Sequence, residues 1–82
     1  MFYTYILQSE VNGRYYVGST RDLGDRLRRH NAGEMKSTRP YIPYKVIYSE
    51  KFESLVEARR REFEIKRRKS RKYIESLVKL ES

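Results

Sequence analysis

The chain has 82 residues and no cysteine, and its 19 Lys and Arg against 11 Asp and Glu give a net charge of +8 at pH 7. A chain of this length is expected to form one domain, residues 1–82, burying only about 60–65% of its unfolded surface, with no disulfide or Cys-based zinc site to reinforce it. No apolar run approaches the roughly 20 residues of a membrane span and Met1–Tyr5 lacks the basic start of a signal peptide, so the expected setting is the cytosol and the charge points to a polyanionic partner, nucleic acid before a merely solubilising surface.

Residues 2–8 are aromatic and β-branched and predict a strand. Asn12-Gly13 predicts a hairpin turn, since both residues tolerate positive φ, and residues 14–19 return as a second strand. Alternation puts Tyr3, Tyr5 and Leu7 on one side of the first strand, and Tyr16 and Gly18 on one side of the second. A register that brings Tyr5 near Tyr16 needs no unusual loop. Thr20 can cap a helix with Asp22 in its first turn. In that helix Leu23 and Leu27 form an apolar i, i+4 pair, with Arg26 and His30 a second pair beside it. Asn31-Ala32-Gly33 supplies the stop. Residues 34–43, with Pro40 and Pro43, read as a loop, and Tyr44 to Tyr48 as a third strand. Ser54 with Glu57 opens a second helix as a capping box. Ser70 caps a third, whose Ile74, Leu77 and Val78 form an apolar stripe. The expected fold is α+β: a three-stranded, mainly antiparallel sheet flanked by helices, in the order β-β-α-β-α-α.

Several residues in this frame carry chemistry. Leu55, Ala58, Glu62 and Ile65 fall on one face of the second helix. A carboxylate inside an apolar stripe is costly unless paired or bound to a metal, so Glu62 is either satisfied by Arg59 or Lys66 or reserved for a cation. Arg26 is either a surface charge or a bidentate grip on a phosphate. His30 is either a helix C-terminal dipole partner or a carrier of a proton near neutral pH. Tyrosines number eight, so Tyr5 and Tyr16 are either packing residues or phenols whose high pKa the surrounding cations would depress. Gly18 either opens the backbone to a phosphate or marks a bulge. From Arg59 to Lys72 nine positive charges stand against Glu62 and Glu64. Arg59, Arg60, Lys66, Arg67, Arg68 and Lys69 are the candidates there for sequence-blind phosphate contact.

Taken jointly, this ordered set resembles the GIY-YIG nuclease superfamily, in particular its small stand-alone bacterial members, similar to the nuclease module of the excision-repair subunit UvrC. Tyr3-Thr4-Tyr5 occupies the first signature triplet and Tyr16-Val17-Gly18 the second. Gly18 to Leu23, leading to Arg26 and His30, is similar to the approach to the family's first helix. Glu57 to Glu62, followed by Ile65-Lys66, matches the helix with its metal-binding glutamate. The likeness runs from about Tyr3 to Leu77. It departs at Tyr3 and Thr4, which replace the glycine and isoleucine of the family name, and no asparagine follows Asn31 where some members use one.

The resemblance implies a metal-dependent DNA endonuclease, structure-dependent or of low sequence preference, with a part in repair or recombination. Glu62 would hold one Mg²⁺ or Mn²⁺, Arg26 would stabilise the attacked phosphate, and Tyr5, His30 or Tyr16 would position or deprotonate the attacking water. The partner would be duplex or branched DNA, with a further protein supplying targeting and no membrane. The other readings are a non-catalytic basic nucleic-acid-binding module of the same fold and a module that meets an acidic protein.

Overall fold

The computed structural model describes residues 1–68 and 70–81. Strands β1 (Phe2–Ser9) and β2 (Tyr15–Thr20) are followed by helix α1 (Leu23–Asn31), a 3₁₀ turn at Arg39–Tyr41, strand β3 (Tyr44–Phe52) and helices α2 (Leu55–Arg68) and α3 (Arg71–Glu81). The sheet order is β2-β1-β3 and both pairings are antiparallel. This is the α+β fold and the β-β-α-β-α-α order read from the sequence. No helix of the described residues is long and apolar enough to cross a membrane.

The central strand decides the architecture. Thr4, Tyr5, Ile6 and Leu7 are all buried, so β1 is covered on both faces. Ile6 joins Val17, Ile65, Ile74 and Leu77 in one core, beneath α2 and α3. Tyr5 and Leu7 join Tyr44 in a second core, packed by Tyr16, Leu23, Leu27 and the 41–42 segment, on the α1 side. The two helix layers therefore lie on opposite faces of the sheet.

Local hydrogen bonding explains the ends of the elements. The first hairpin is wider than an Asn-Gly two-residue turn. Residues 10–14 bridge the strands, Ser9 N–H donates to the Arg14 carbonyl at 2.8 Å, and Gly13 N–H donates to the Ser9 carbonyl at 3.0 Å. Gly13 alone supplies the left-handed backbone, at φ +76°. The cap of α1 is Asp22, whose carboxylate accepts from Asp25 N at 3.0 Å, and Thr20 instead ends β2. An aspartate one residue before the helix out-competes the threonine because its side chain reaches the third amide directly. At the other end the Asn31 side chain clamps Tyr44, accepting from its N–H at 2.7 Å and donating to its carbonyl at 3.0 Å. This fastens α1 to the start of β3.

Ser54 and Ser70 cap α2 and α3, accepting from Glu57 N and Tyr73 N, each at 3.2 Å. The Thr4 hydroxyl donates to the Ala58 carbonyl at 2.6 Å, one helical turn before Glu62. A polar residue in the centre of β1 thus pins the α2 segment that presents the glutamate. Arg61 departs from the solvated basic run around it. Only 18% exposed, it pairs with Glu50 at 2.8 Å and with Glu64, and donates to the Tyr73 hydroxyl.

Candidate active site

The hairpin register sets Tyr5 opposite Gly18 and Leu7 opposite Tyr16. Tyr5 and Tyr16 are therefore diagonal neighbours on the α1 face, with ring centroids 6.4 Å apart. Gly18 has no side chain because the Tyr5 phenol fills that space. A methyl there would stand 2.5 Å from Tyr5 Oη and 2.7 Å from Cζ. The glycine is neither a bulge nor an open approach to the backbone; the only register shift in the sheet lies between Ile6 and Leu7, against β3.

From α1, Arg26 and His30 reach the same face. His30 is fully buried, with its ring edge-on to Tyr16 at 4.7 Å and 6.5 Å from Tyr5. Its Nδ1 lies 3.0 Å from the Thr38 hydroxyl, which itself donates to the Met35 carbonyl. In the tautomer that matches the Thr38–Met35 bond, Nδ1–H donates to the Thr38 hydroxyl and Nε2 carries the lone pair; Nε2 is buried with no hydrogen-bond partner among the described residues. Burial first, then the Arg26 charge, lower the His30 pKa from its ordinary value. The ring is neutral at pH 7. Arg26 is half-buried, and its guanidinium has no hydrogen bond or ion pair among the described residues, so it is free to take an anion.

The phenol of Tyr5 does not behave as its basic surroundings suggest. Burial raises its pKa well above the usual phenol range, with Tyr16 adding to the rise, Arg26 opposing it and Glu62 adding a smaller push upward. Desolvation of the phenolate outweighs the nearby cation, so the expectation of a depressed phenol fails here. Arg26 and Glu62 thus both act electrostatically on this phenol, with opposite sign.

Glu62 approaches from the opposite face. It projects from α2 at the outer strand β2, where Ser19 Oγ donates to its Oε1 at 2.6 Å and Lys66 Nζ lies 2.7 Å from its Oε2. Ser19 neighbours Gly18 and points away from it, so the carboxylate and the phenol flank one backbone segment of an edge strand. Sequence reasoning missed Ser19, whose partner lies 43 residues away; the one signal available was its place on the Val17 side of the strand. Among the described residues no three His, Cys, Asp or Glu side chains converge. A single carboxylate, oriented by a hydroxyl and only 21% exposed, suits a hard cation that keeps most of its waters. The residues fit such an ion on condition that Lys66, whose side chain is 51% exposed, swings aside.

Of the candidate phosphate contacts, Arg59, Arg60, Lys66, Arg67 and Arg68 are all exposed on α2, and Arg68 lies over the Tyr73 ring at 4.5 Å. Lys69 lies outside the described residues.

One consequence for stability follows from His30, the only histidine in the chain. With its folded pKa lowered, its contribution is fully present above the unfolded value of about 6.5 and is lost as pH falls toward the folded value. The melting temperature is expected to fall between about pH 7 and pH 5, and to fall much less in His30→Gln. Equal slopes in the two proteins would remove His30 as the cause.

Comparison with known proteins extends these observations. The profile of the GIY-YIG catalytic domain matches residues 1–74. A UPF0213 protein of Streptococcus pneumoniae serotype 4 is 43% identical over 68 residues, covering 82% of this chain and 68% of its own. UPF0213 protein VNG_2274C of Halobacterium salinarum is 40% identical over 67 residues, covering 80% of this chain and 86% of its own. The solution NMR structure of the UPF0213 protein BH0048 from Bacillus halodurans superposes with a TM-score of 0.60 at 38% identity, over 98% of this chain and 85% of that one.

Proposed function

The chain belongs to the GIY-YIG family, alongside the UPF0213 proteins, and from that premise we propose that it is a DNA endonuclease that hydrolyses phosphodiester bonds with one divalent cation, Mg²⁺ or Mn²⁺. The observation that carries the reading is the Tyr5 hydroxyl, seated on the bare Cα of Gly18 and sensing Arg26 and Glu62 together. A phosphate at this edge of the sheet would meet a guanidinium from one face and a carboxylate from the other.

Each residue then has a role. Arg26 grips non-bridging oxygens and stabilises charge as it grows. Glu62, aimed by Ser19, holds the cation. When bound, that cation supplies Lewis acidity to phosphate oxygens and to water, whose unassisted pKa of about 15.7 bars attack at neutral pH. Tyr5, kept protonated by burial, positions the attacking water by hydrogen bonding rather than by taking its proton. His30, neutral and with an unshared Nε2 pair, is the proton acceptor of the cluster, and the Tyr16 ring orients it. The exposed cations of α2 hold phosphates without reading bases, which suits a nuclease selective for DNA structure, in repair or recombination. Residues 1–82 act as one catalytic unit in the cytoplasm, with a partner protein supplying targeting.

Plasmid and branched DNA should be nicked in Mg²⁺ or Mn²⁺ and left intact once the ion is chelated. The Lys66 ammonium on Glu62 favours a second reading, a basic nucleic-acid-binding module without catalysis. Salt-sensitive binding with no ion-dependent product on any flap, splayed, branched or plasmid substrate would establish that module and exclude the nuclease.

A further inference from the structure

Phe63 follows Glu62 on α2, and its side chain is left in solvent at 66% exposure. The core does not account for an aromatic at this position, because α2 is anchored through Ala58 and Ile65 on another side of the helix. Its four neighbours on the helix surface, at i−4, i−3, i+3 and i+4, are Arg59, Arg60, Lys66 and Arg67. All four are exposed. Two of them share a surface with Glu62: Arg59, Glu62, Phe63 and Lys66 line one depression.

Other aromatic rings of this protein are covered by arginine. Arg14 lies 4.8 Å over Tyr41, Arg71 lies 5.0 Å over Tyr15, and Arg68 lies 4.5 Å over Tyr73. Phe63 has four cations within one turn, yet no guanidinium lies over its ring among the described residues. The result is an open aromatic face enclosed by positive charge.

That combination matches one kind of occupant. Single-stranded nucleic acid binds by laying a base on an aromatic ring while its phosphates run along a basic surface. A duplex cannot use the ring in this way, because its base faces are already stacked on one another. A protein partner with an apolar contact would gain nothing from four surrounding cations unless it were also acidic. We infer that Phe63 is the stacking platform for an unpaired base, and that this protein prefers nucleic acid with an unpaired nucleotide at the site. The preference rests on the nuclease reading for its position beside Glu62, but the binding itself does not require cleavage.

The chain contains no tryptophan, so Phe63→Trp introduces a single fluorescent reporter at an exposed position. Titrations of the full chain, without divalent cations, would compare a single-stranded DNA oligonucleotide with the duplex of the same sequence. The single strand is expected to quench the tryptophan and the duplex to leave it nearly unchanged. Phe63→Ala should bind the single strand roughly tenfold more weakly, the scale of one lost stacking contact, while duplex affinity changes less than about twofold because phosphate contacts are kept. Equal quenching by both oligonucleotides, or Phe63→Ala binding the single strand as tightly as wild type, would overturn the stacking role and leave the nuclease reading standing. Failure of the wild type to bind either oligonucleotide would overturn both. A stacking signal in a protein that never cleaves would support Phe63 while ending the nuclease reading.

Discussion

Glu62→Gln is expected to fold as the wild type does and to lose about 10²- to 10³-fold of its DNA nicking, the range over which removal of one charge-handling group in an active site acts. The substitution keeps the shape of the side chain and an oxygen for Ser19 Oγ, which donates to Oε1 at 2.6 Å. It removes the negative charge a cation needs and the ion pair with Lys66. That pair has one half-exposed partner, so its loss should cost well under about 1 kcal/mol of stability. Activity and stability therefore separate, which distinguishes a catalytic glutamate from a boundary residue satisfied by its lysine. DNA affinity in the absence of metal should hold or rise slightly, since one negative charge leaves a basic surface. A variant that nicks at the wild-type rate would return Glu62 to a structural role.

Gly18→Ala is expected to damage both properties together. The added methyl would meet Tyr5 Oη at 2.5 Å and Cζ at 2.7 Å. Tyr5 is 1% exposed and packed against Tyr16 and His30, so the ring cannot swing into solvent to make room. Overpacking of this kind costs about 1–3 kcal/mol, a large share of the stability of so short a chain. Whatever relief the site finds must move the phenol or the edge strand, and with it the gap between Arg26 and Glu62. Tyr5→Phe is the control, because it removes the hydroxyl while leaving Gly18 and the packing intact. Tyr5→Phe should melt close to the wild type and lose nicking, whereas Gly18→Ala should lose both. Wild-type melting and nicking in Gly18→Ala would show that the phenol does not rest on this backbone.

Much of this architecture was legible because its signals are local. Alternation along β1 and β2 grouped Tyr5 with Tyr16 and Gly18, and serines at 54 and 70 marked the starts of α2 and α3. The i, i+4 spacing of Arg26 and His30 put them on one side of α1. What escaped depends on long-range pairing. The sequence pattern could not tell that α1 and α2 would cover opposite faces, and so could not show that Glu62 sits on the far side of an edge strand from Tyr5 and His30. It could not find Ser19 as the carboxylate's partner, nor the partners Glu50 and Glu64 that draw Arg61 inward. The Tyr5 phenol was misjudged for a related reason. Counting nearby cations captures one influence on its pKa, but burial against α1 is larger and opposite in sign. For His30 the pattern left a helix-end charge and a proton carrier both open, and only the fold shows the ring buried, with Nε2 unpartnered among the described residues.

The basic face of α2 separates into two kinds of cation once the structure is known. Arg61 builds the fold, tying α2 to β3 and to Tyr73 on α3. Arg59, Arg60, Lys66 and Arg67 are left to the solvent around Phe63. Lys66 has a further position, since its ammonium sits on the carboxylate proposed to hold the cation. Its flexible stem lets it give up that contact to a phosphate, so DNA arrival and exposure of the Glu62 carboxylate are linked events in this account.

Arg26 and Glu62, on opposite faces of the sheet, are proposed to serve one phosphate. A mutant cycle of nicking rates tests this shared role directly: wild type, Arg26→Ala, Glu62→Gln and the double variant, measured on one branched DNA substrate with Mn²⁺. Groups that act as a unit give strongly non-additive losses. The double variant is expected to be scarcely slower than the worse single variant. Losses that multiply as for independent sites, or wild-type nicking in either single variant, would contradict it.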